Sequence, residues 1–187
     1  MAIRVQPTAL PDVLLVDVDR FGDERGFFME AYHRGRYVDA GIDATFLQDN
    51  HSRSRKGILR GIHLQDKTAP MGKLVRCGAG GILDVAVDLR TNSPTFGKWV
   101  AEELTEDNNR QLYVPAGYGH GFVTLTESAD VLYKCTAQYA PESEITVLWN
   151  DPDLGVDWRV PDPTTSARDA GGISAREYRE LPESRRF

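Results

Sequence analysis

Short runs of apolar residues, many of them alternating with polar ones, follow one another from about residue 11 to residue 160. Alternation with a period of two is typical of half-buried β-strands, and stretches rich in Gly, Pro, Asn and Asp separate the runs. No helical period intervenes, so the pattern predicts an all-β fold, a sandwich or a barrel such as a jelly roll. The runs that predict strands are "DVLLVDVDRF", "GFFMEAY", "GKLVRCG", "ILDVAVDL", "KWVAEEL", "RQLYVP", "HGFVTLT", "ADVLYKCTAQY" and "ITVLWND".

Helix signals are few and lie at the periphery of this pattern. One short helix is predicted over residues 32–40, and Ser174 with Glu177 three residues later forms a capping-box signature for a second. The closing "ESRRF" predicts a solvated tail. We expect one domain over residues 1–187, with a core at about 11–170 and a C-terminal extension over 171–187.

Composition narrows the class of protein. Of the 187 residues, 41% are hydrophobic and 27% charged, as in globular proteins, and the formal charge of -6 argues against a nucleic-acid partner. No secretory segment opens the chain and no apolar run approaches the roughly 20 residues that span a bilayer, so we expect a cytoplasmic protein without a membrane partner. Cys77 and Cys135 lie in strand patterns, where buried unpaired thiols are expected.

Two histidines lie in informative surroundings. The strand pattern "GILRGIHLQ" contains Arg60, His63 and Gln65, and "PAGYGHGF" ends a P-x-G-x-x-H pattern at His120. That pattern resembles the second half of the metal-binding motif of cupins, whose first half normally has a second histidine where Gln65 stands and a glutamate shortly after. Residues 66–72 contain no glutamate, so too few ligands remain for a transition metal and we predict no metal site. Taken alone, each histidine is more simply interpreted as an ordinary strand or turn histidine whose polar atoms are satisfied by neighbours.

Strand alternation groups further polar residues with apolar neighbours. Lys73 shares a face with Val75 and Cys77, and Tyr133 shares one with Val131 and Cys135; such residues need a partner or a task. A strand-end lysine reaching solvent and a core tyrosine are the simpler interpretations of these two positions.

In "ILDVAVDL" the carboxylates of Asp84 and Asp88 lie on one face. They either face the interior, where one could orient a histidine, or simply face water.

Arginines Arg25, Arg60 and Arg168 suit phosphate oxygens, but each alone is an ordinary surface residue unless a shared pocket collects them. Strict alternation places Arg60 opposite His63. Gly61 between them predicts a kink or bulge that turns Arg60 towards the same pocket.

Taken together, the long motifs resemble those of the dTDP-4-dehydrorhamnose 3,5-epimerases, which are metal-free cupins of nucleotide-sugar metabolism. The resemblance covers roughly residues 11–170 in order. It is carried by "FGDERGFFMEAY", "FLQDNHSRSRKGILRGIHLQ", "GKLVRC", "DVAVDLRTNSPTFGKW", "NNRQLYVPAGYGHGF", "ADVLYKCTAQYAPESE", "WNDPDLGVDW" and "SARD".

The resemblance implies a cupin-type jelly roll with short peripheral helices and roles for particular residues. His63 matches the catalytic base, Tyr133 the general acid, and Asp169 the carboxylate paired with the base, although Asp84 could also take that place. Lys73 matches a group near the sugar ketone. Residues matching the substrate-binding set are Arg25, Glu30, Gln48, Asp49, Asn50, Arg60, Lys73, His120, Tyr139, Glu144 and Arg168. Of these, Tyr139 matches an aromatic residue that would stack on the thymine ring.

The family further implies a cofactor-independent isomerase that acts on a dTDP-4-keto-6-deoxy sugar. It also implies a homodimer in which N-terminal strands cross, placing Arg25 and Glu30 in the partner's site. Leu64, Met71 and "PAGYGHGF" depart from the usual family residues and leave open whether carbon 3, carbon 5 or both are epimerised. Two further classes stay open: a metal-dependent cupin, which Gln65 disfavours, and a noncatalytic cupin that binds a nucleotide sugar.

Overall fold

A computed structural model describes residues 2–187 and shows two antiparallel sheets that face each other. Three short helices lie at the periphery: α1 (Arg34–Asp39), α2 (Ala167–Ala170) and α3 (Ala175–Glu180), with single 3₁₀ turns at Pro141–Ser143 and Glu183–Arg185. The strands are β1 (Ile3–Pro7), β2 (Leu14–Val18), β3 (Arg20–Asp23), β4 (Gly26–Met29), β5 (Gln48–Arg55), β6 (Leu59–Gln65), β7 (Lys73–Ala79), β8 (Gly81–Asp88), β9 (Trp99–Thr105), β10 (Gln111–Val114), β11 (Tyr118–Thr124), β12 (Ser128–Cys135) and β13 (Glu144–Thr146).

The strand order confirms the all-β jelly roll. One sheet runs β1-β2-β10-β7-β12-β5 and the other β13-β6-β11-β8-β9, while β3 and β4 form a separate hairpin. Neighbouring strands in each sheet pair antiparallel, and many neighbours are distant along the chain. The two sheets therefore enclose an interior to which residues far apart in sequence contribute.

The interior is apolar over much of its length. Ile82, Leu104, Leu112 and Val131 pack between the sheets and are almost fully buried. A second apolar layer covers the outer face of the five-stranded sheet, where Tyr178 of α3 packs on the side chains of β8. Because β8 is covered on both faces, every one of its residues is buried.

The helix predictions are confirmed. The helix expected over 32–40 is α1, and Ser174 and Glu177 form the predicted capping box at the start of α3. None of the helices within residues 2–187 is long and apolar enough to cross a membrane.

The prediction of a solvated tail is wrong for Arg185–Phe187. These three residues are half-buried, and the backbone N–H of Phe187 donates to the Tyr178 hydroxyl at 3.0 Å. The sequence of the tail did not predict this packing, because hydrogen bonds and an ion pair hold the tail and its polar composition gives no apolar pattern.

A single domain over 1–187 stays a prediction.

Candidate active site

A cleft opens between the two sheets at the end where β5, β6, β7, β11 and β12 meet. It consists of two adjoining cavities of about 380 and 540 Å³. Both are lined by His63, Lys73, Tyr133 and Arg168, so they form one continuous space. The cleft thus combines residues of both sheets with a residue of α2.

Gly61 turns two residues of β6 into this cleft. His63 pairs with His120 across the strands, but Arg60 pairs with Phe122, so β6 carries one extra residue between them. Gly61 has φ +131°, and a Cβ there would lie 2.5 Å from the Cα of Gly121. The predicted bulge is confirmed, and it places Arg60 on the same side of the strand as His63.

Strand β5 supplies a polar wall that the alternation pattern missed. Its sequence "QDNHSRSR" contains no apolar residue, yet the strand pairs along its whole length with β12. Gln48, Asn50, Ser52 and Ser54 alternate with exposed residues and point inward. The Arg60 Nε donates to the Ser54 hydroxyl at 3.0 Å, so this wall helps to orient the guanidinium.

His63 is held by a carboxylate from the far end of the chain. Its Nε2 lies 2.6 Å from Asp169 Oδ1, and Asp169 is buried in α2, the helix capped by Ser166. Burial alone would raise the pKa of Asp169, but His63, Ser166 and Arg168 together outweigh burial and lower it. The carboxylate is therefore ionised near neutral pH and can fix the imidazole tautomer.

A second imidazole–carboxylate pair lies beside the first. His120 Nε2 is 2.8 Å from Asp84 Oδ1, and both side chains are buried. Burial lowers the pKa of His120, although Asp84 opposes the shift. Asp84 therefore faces the interior rather than water, and the carboxylate beside His63 is Asp169.

Lys73 and Tyr133 face these histidines from the opposite sheet. Cys135 of β12 pairs with Lys73 of β7. Tyr133 lies two residues before Cys135 on β12 and is therefore on the same inner face of the sheet as Lys73. Burial lowers the pKa of Lys73 and raises the pKa of Tyr133. Lys73 forms no ion pair within 4 Å among residues 2–187, which leaves its ammonium available to a bound molecule.

Glu144 links three side chains at the outer part of the cleft. Its Oε2 accepts from the Tyr139 hydroxyl at 2.8 Å and from Arg168 Nη1 at 2.8 Å. The Gln48 side chain accepts from the backbone N–H of Tyr139 at 2.9 Å. The Tyr139 ring is half exposed, so its face is open to a planar ligand.

Gln65 has a structural partner at the position where metal cupins have histidine. Its amide nitrogen donates to the Ala69 carbonyl at 2.8 Å, and its oxygen accepts from the Ala140 N–H at 2.8 Å. Within residues 2–187 no group of three or more His, Cys, Asp or Glu side chains is arranged to hold a metal ion. Cys77 and Cys135 are buried and unpaired, as expected.

Three residues of the expected substrate-binding set lie outside the cleft of their own chain. Arg25 is on the β3–β4 hairpin, where it pairs with Asp23. Glu30 lines a groove on the outer face of the six-stranded sheet. Asp49 points outward from β5 and binds Lys134 at 2.8 Å.

The remaining members of the set line the cleft or neighbour it. Leu64 and Met71, where the chain departs from the family, also line it.

The two imidazole–carboxylate pairs, the free lysine and the half-buried tyrosine are groups that move protons and stabilise charge. With the strand order described above, they define a cupin-type jelly roll with an acid–base site. A family model described as dTDP-4-dehydrorhamnose 3,5-epimerase matches residues 7–177, and the chain belongs to that family.

Individual relatives agree with this assignment. The chain is 52% identical to the dTDP-4-dehydrorhamnose 3,5-epimerase of Salmonella typhimurium over 87% of this chain and 90% of the relative. It is 35% identical to a dTDP-4-dehydrorhamnose 3-epimerase of Streptomyces niveus over 95% of this chain and 86% of that one. The crystal structure of the Legionella pneumophila 3,5-epimerase in complex with dTDP-4-keto-L-rhamnose matches with a TM-score of 0.90 and 42% identity, covering 94% of each chain.

Proposed function

We propose that this chain converts dTDP-4-dehydro-6-deoxy-D-glucose to dTDP-4-dehydro-L-rhamnose by removing and returning protons at carbons 3 and 5. The observation that carries the proposal is the placement of the His63–Asp169 pair and Tyr133 on opposite walls of one cleft. A base on one face of a sugar and an acid on the other are what inversion at a carbon requires.

The chemistry follows from the ketone at carbon 4. A carbonyl acidifies the hydrogens on both neighbouring carbons, because loss of either proton gives an enolate. His63 takes the proton, since imidazole titrates near neutral pH and Asp169 stabilises the imidazolium that forms. Tyr133 returns a proton from the other wall, and its raised pKa keeps the hydroxyl protonated until then.

Lys73 and His120 are proposed to stabilise the enolate oxygen. Preorganised donors at a developing negative charge contribute on the order of 3 kcal/mol each. Burial lowers the pKa of Lys73, while the charges of Cys135, Asp84 and Glu144 oppose the shift. An enolate beside the lysine would add a further charge that favours the ammonium form.

The nucleotide is proposed to lie along the outer part of the cleft. Arg60 and Arg168 both line the larger cavity and provide guanidinium groups for diphosphate oxygens. Tyr139 offers its exposed ring to thymine. Gln48, Asn50 and Glu144 complete the polar surroundings of this region. No cofactor takes part in the proposed reaction.

The site is proposed to be completed by a second copy of the chain. The β3–β4 hairpin projects Phe21, Phe27 and Phe28, whose side chains are 54–62% exposed, next to Arg25. An exposed aromatic hairpin is typical of a surface that another chain covers. A homodimer with crossing N-terminal strands would carry Arg25, Glu30 and the hairpin to the neighbouring cleft.

The cytoplasmic location stays a prediction.

An epimerase acting at one carbon only is the second candidate function. Leu64 and Met71 line the cleft, and both depart from the usual family residues, so the sugar could sit differently. The identity of 52% with a 3,5-epimerase against 35% with a 3-epimerase favours action at both carbons.

The test is incubation of the protein with the 4-keto sugar nucleotide in heavy water, with deuterium entry followed by NMR. Exchange at both carbons is the expected result, whereas exchange at one carbon supports the single-carbon enzyme. A protein that binds dTDP without any exchange would be a noncatalytic nucleotide-sugar-binding cupin. Stoichiometric, tightly bound zinc, iron or manganese in elemental analysis would contradict a cofactor-independent reaction.

A further inference from the structure

Two loops flank the nucleotide end of the cleft and are bonded to each other. One follows β6 and spans 66–72; the other spans 136–143, between β12 and β13. The backbone N–H of Asp66 donates to the Ser143 carbonyl at 2.9 Å, and the Thr68 hydroxyl lies 2.8 Å from the Ser143 hydroxyl. Together with the Gln65 amide described above, these bonds make the two loops one unit.

The unit contains a buried carboxylate. Asp66 is fully buried, and its Oδ1 accepts from the Thr68 backbone N–H at 2.8 Å. Its Oδ2 accepts no hydrogen bond within residues 2–187. An ionised carboxylate is costly to bury unless a cation pairs with it.

Arg185, near the end of the chain, provides that cation. Its Nε lies 3.0 Å from Asp66 Oδ2, and its Nη1 donates to the Glu142 carbonyl. One guanidinium therefore contacts both loops, the first through a charge and the second through a hydrogen bond. Asp66 receives its counter-charge from outside the cleft.

The second of these contacts lies next to residues of the cleft. Glu142 belongs to the 3₁₀ turn that leads directly into Glu144. Glu144 in turn holds Tyr139 and Arg168, each at 2.8 Å. A shift of the turn would move the carboxylate on which both side chains depend.

Arg185 is itself anchored by its neighbours in the chain. Arg186 donates to the Leu181 carbonyl at 2.8 Å, and Phe187 is bonded to Tyr178 and, through its carbonyl, to Thr91. These residues lie beyond residue 177, where the match to the family model ends. The tail is thus fixed to the barrel directly after Arg185, through the Phe187 carbonyl and Thr91.

We infer that Arg185 is a positioning residue for nucleotide binding: it holds the two loops through Asp66 and Glu142 and thereby fixes Tyr139, Glu144 and Arg168. This inference rests on the proposed function, because it takes these three side chains to contact the nucleotide. Arg185 lies behind the loops and acts only through them. Its loss should therefore weaken binding without slowing the chemical step.

The test compares Arg185→Gln with Arg179→Gln. Arg179 lies on α3 in the same C-terminal segment and stacks over Phe96, so its replacement removes the same charge without touching the loops. Amide hydrogen exchange of residues 138–144 in the ligand-free proteins, calorimetric binding of dTDP, and KM and kcat for the 4-keto sugar nucleotide are measured for both variants.

Arg185→Gln is expected to accelerate exchange in residues 138–144, to weaken dTDP binding about five-fold and to raise KM similarly, with kcat within about two-fold of wild type. Arg179→Gln should match wild type in amide exchange, dTDP affinity, KM and kcat. Adding Asp66→Asn to Arg185→Gln removes the unpaired carboxylate, yet dTDP binding should stay weakened, because no guanidinium then joins the two loops.

Unchanged exchange and unchanged dTDP affinity in folded Arg185→Gln would overturn the inference. So would a general rise in exchange across the barrel with kcat falling in step, because that is loss of stability rather than of positioning. If wild-type protein neither binds dTDP nor turns over the sugar nucleotide, the proposed function fails. The exchange pattern then still decides whether Arg185 holds the loops.

Discussion

The two ends of the barrel interior are built from the same strands but with opposite chemistry. Along the inner face of β12, Ala129 and Val131 are buried among apolar neighbours, whereas Tyr133 faces the cleft. On β7, Val75 packs in the core and Lys73 lies two residues away in the cleft. One end is filled by side chains and the other leaves room for a ligand.

The two ends also depend on different interactions. The filled end is held by apolar packing, which is not directional and is shared among many residues. The open end depends on individual pairs such as His63–Asp169 and His120–Asp84. We therefore expect changes at the filled end to alter stability and changes at the open end to alter activity.

The largest effect is expected for His63→Ala. Without the proposed base, kcat should fall by about 10³-fold or more, and deuterium exchange at both carbons should be lost, with the melting temperature little changed. His33→Asn is a matched control, because His33 caps α1 at the surface and asparagine can also cap a helix. Near-normal exchange in His63→Ala would show that the base is another residue.

Tyr133→Phe should separate the two proton transfers. The ring and its packing remain, but the hydroxyl that would return a proton from the opposite wall is gone. We expect inversion to slow by about 10²-fold while His63 still exchanges substrate protons for deuterium. NMR distinguishes deuterated substrate from deuterated product, and equal loss of both would argue that Tyr133 only shapes the cleft.

Leu112→Ala tests the filled end. Leu112 is fully buried between the sheets, and its truncation should lower the free energy of unfolding by about 3 kcal/mol. Denaturant unfolding measures this loss, and kcat measured well below the melting temperature should stay within about two-fold of wild type. A large fall in kcat with little loss of stability would contradict the division between the two ends.

Asp88 lies outside the cleft and makes a pH-dependent contribution to the free energy of unfolding. Burial alone would raise its pKa, but hydrogen bonds from Arg90, Ser93 and Thr95 outweigh burial and lower the pKa to about 2, from an ordinary value of 3.8. Because the folded pKa is depressed, this stability is present above about pH 4 and is lost as the pH falls towards 2.

Asp88→Asn should therefore cost about 2 kcal/mol at pH 6. The difference from wild type should shrink in urea unfolding as the pH approaches 3. A difference that does not change with pH would mean that the carboxylate charge is not responsible.

The smallest effect is expected for Ser52→Ala on the polar wall of β5. The Ser52 hydroxyl is buried, and within residues 2–187 it neither accepts nor donates a hydrogen bond. Its removal should change the free energy of unfolding by less than about 0.5 kcal/mol. Ser54→Ala is the matched comparison, since it leaves Arg60 without its partner and should cost about 1 kcal/mol. Equal costs would indicate that Ser52 has a partner in solution.

Much of the fold follows from local patterns. Strand alternation predicted the sheets and placed Lys73 and Tyr133 on inner faces, because neighbours two residues apart on a strand must share a side. The helix α1 and the capping box at Ser174 were predicted for similarly local reasons. Local periodicity could not reveal β5, because its inner face is lined by polar groups of the cleft rather than by core residues.

The sequence by itself determined the jelly-roll class, the inner faces of its strands and, through the long motifs, the family. Only the tertiary structure decided which groups meet: Asp169 rather than Asp84 with His63, Asp84 with His120, and Arg185 with Asp66. The physical reason is separation along the chain. Residues more than 100 positions apart, such as His63 and Asp169, come within hydrogen-bonding distance only through the pairing of distant strands and the docking of the C-terminal segment.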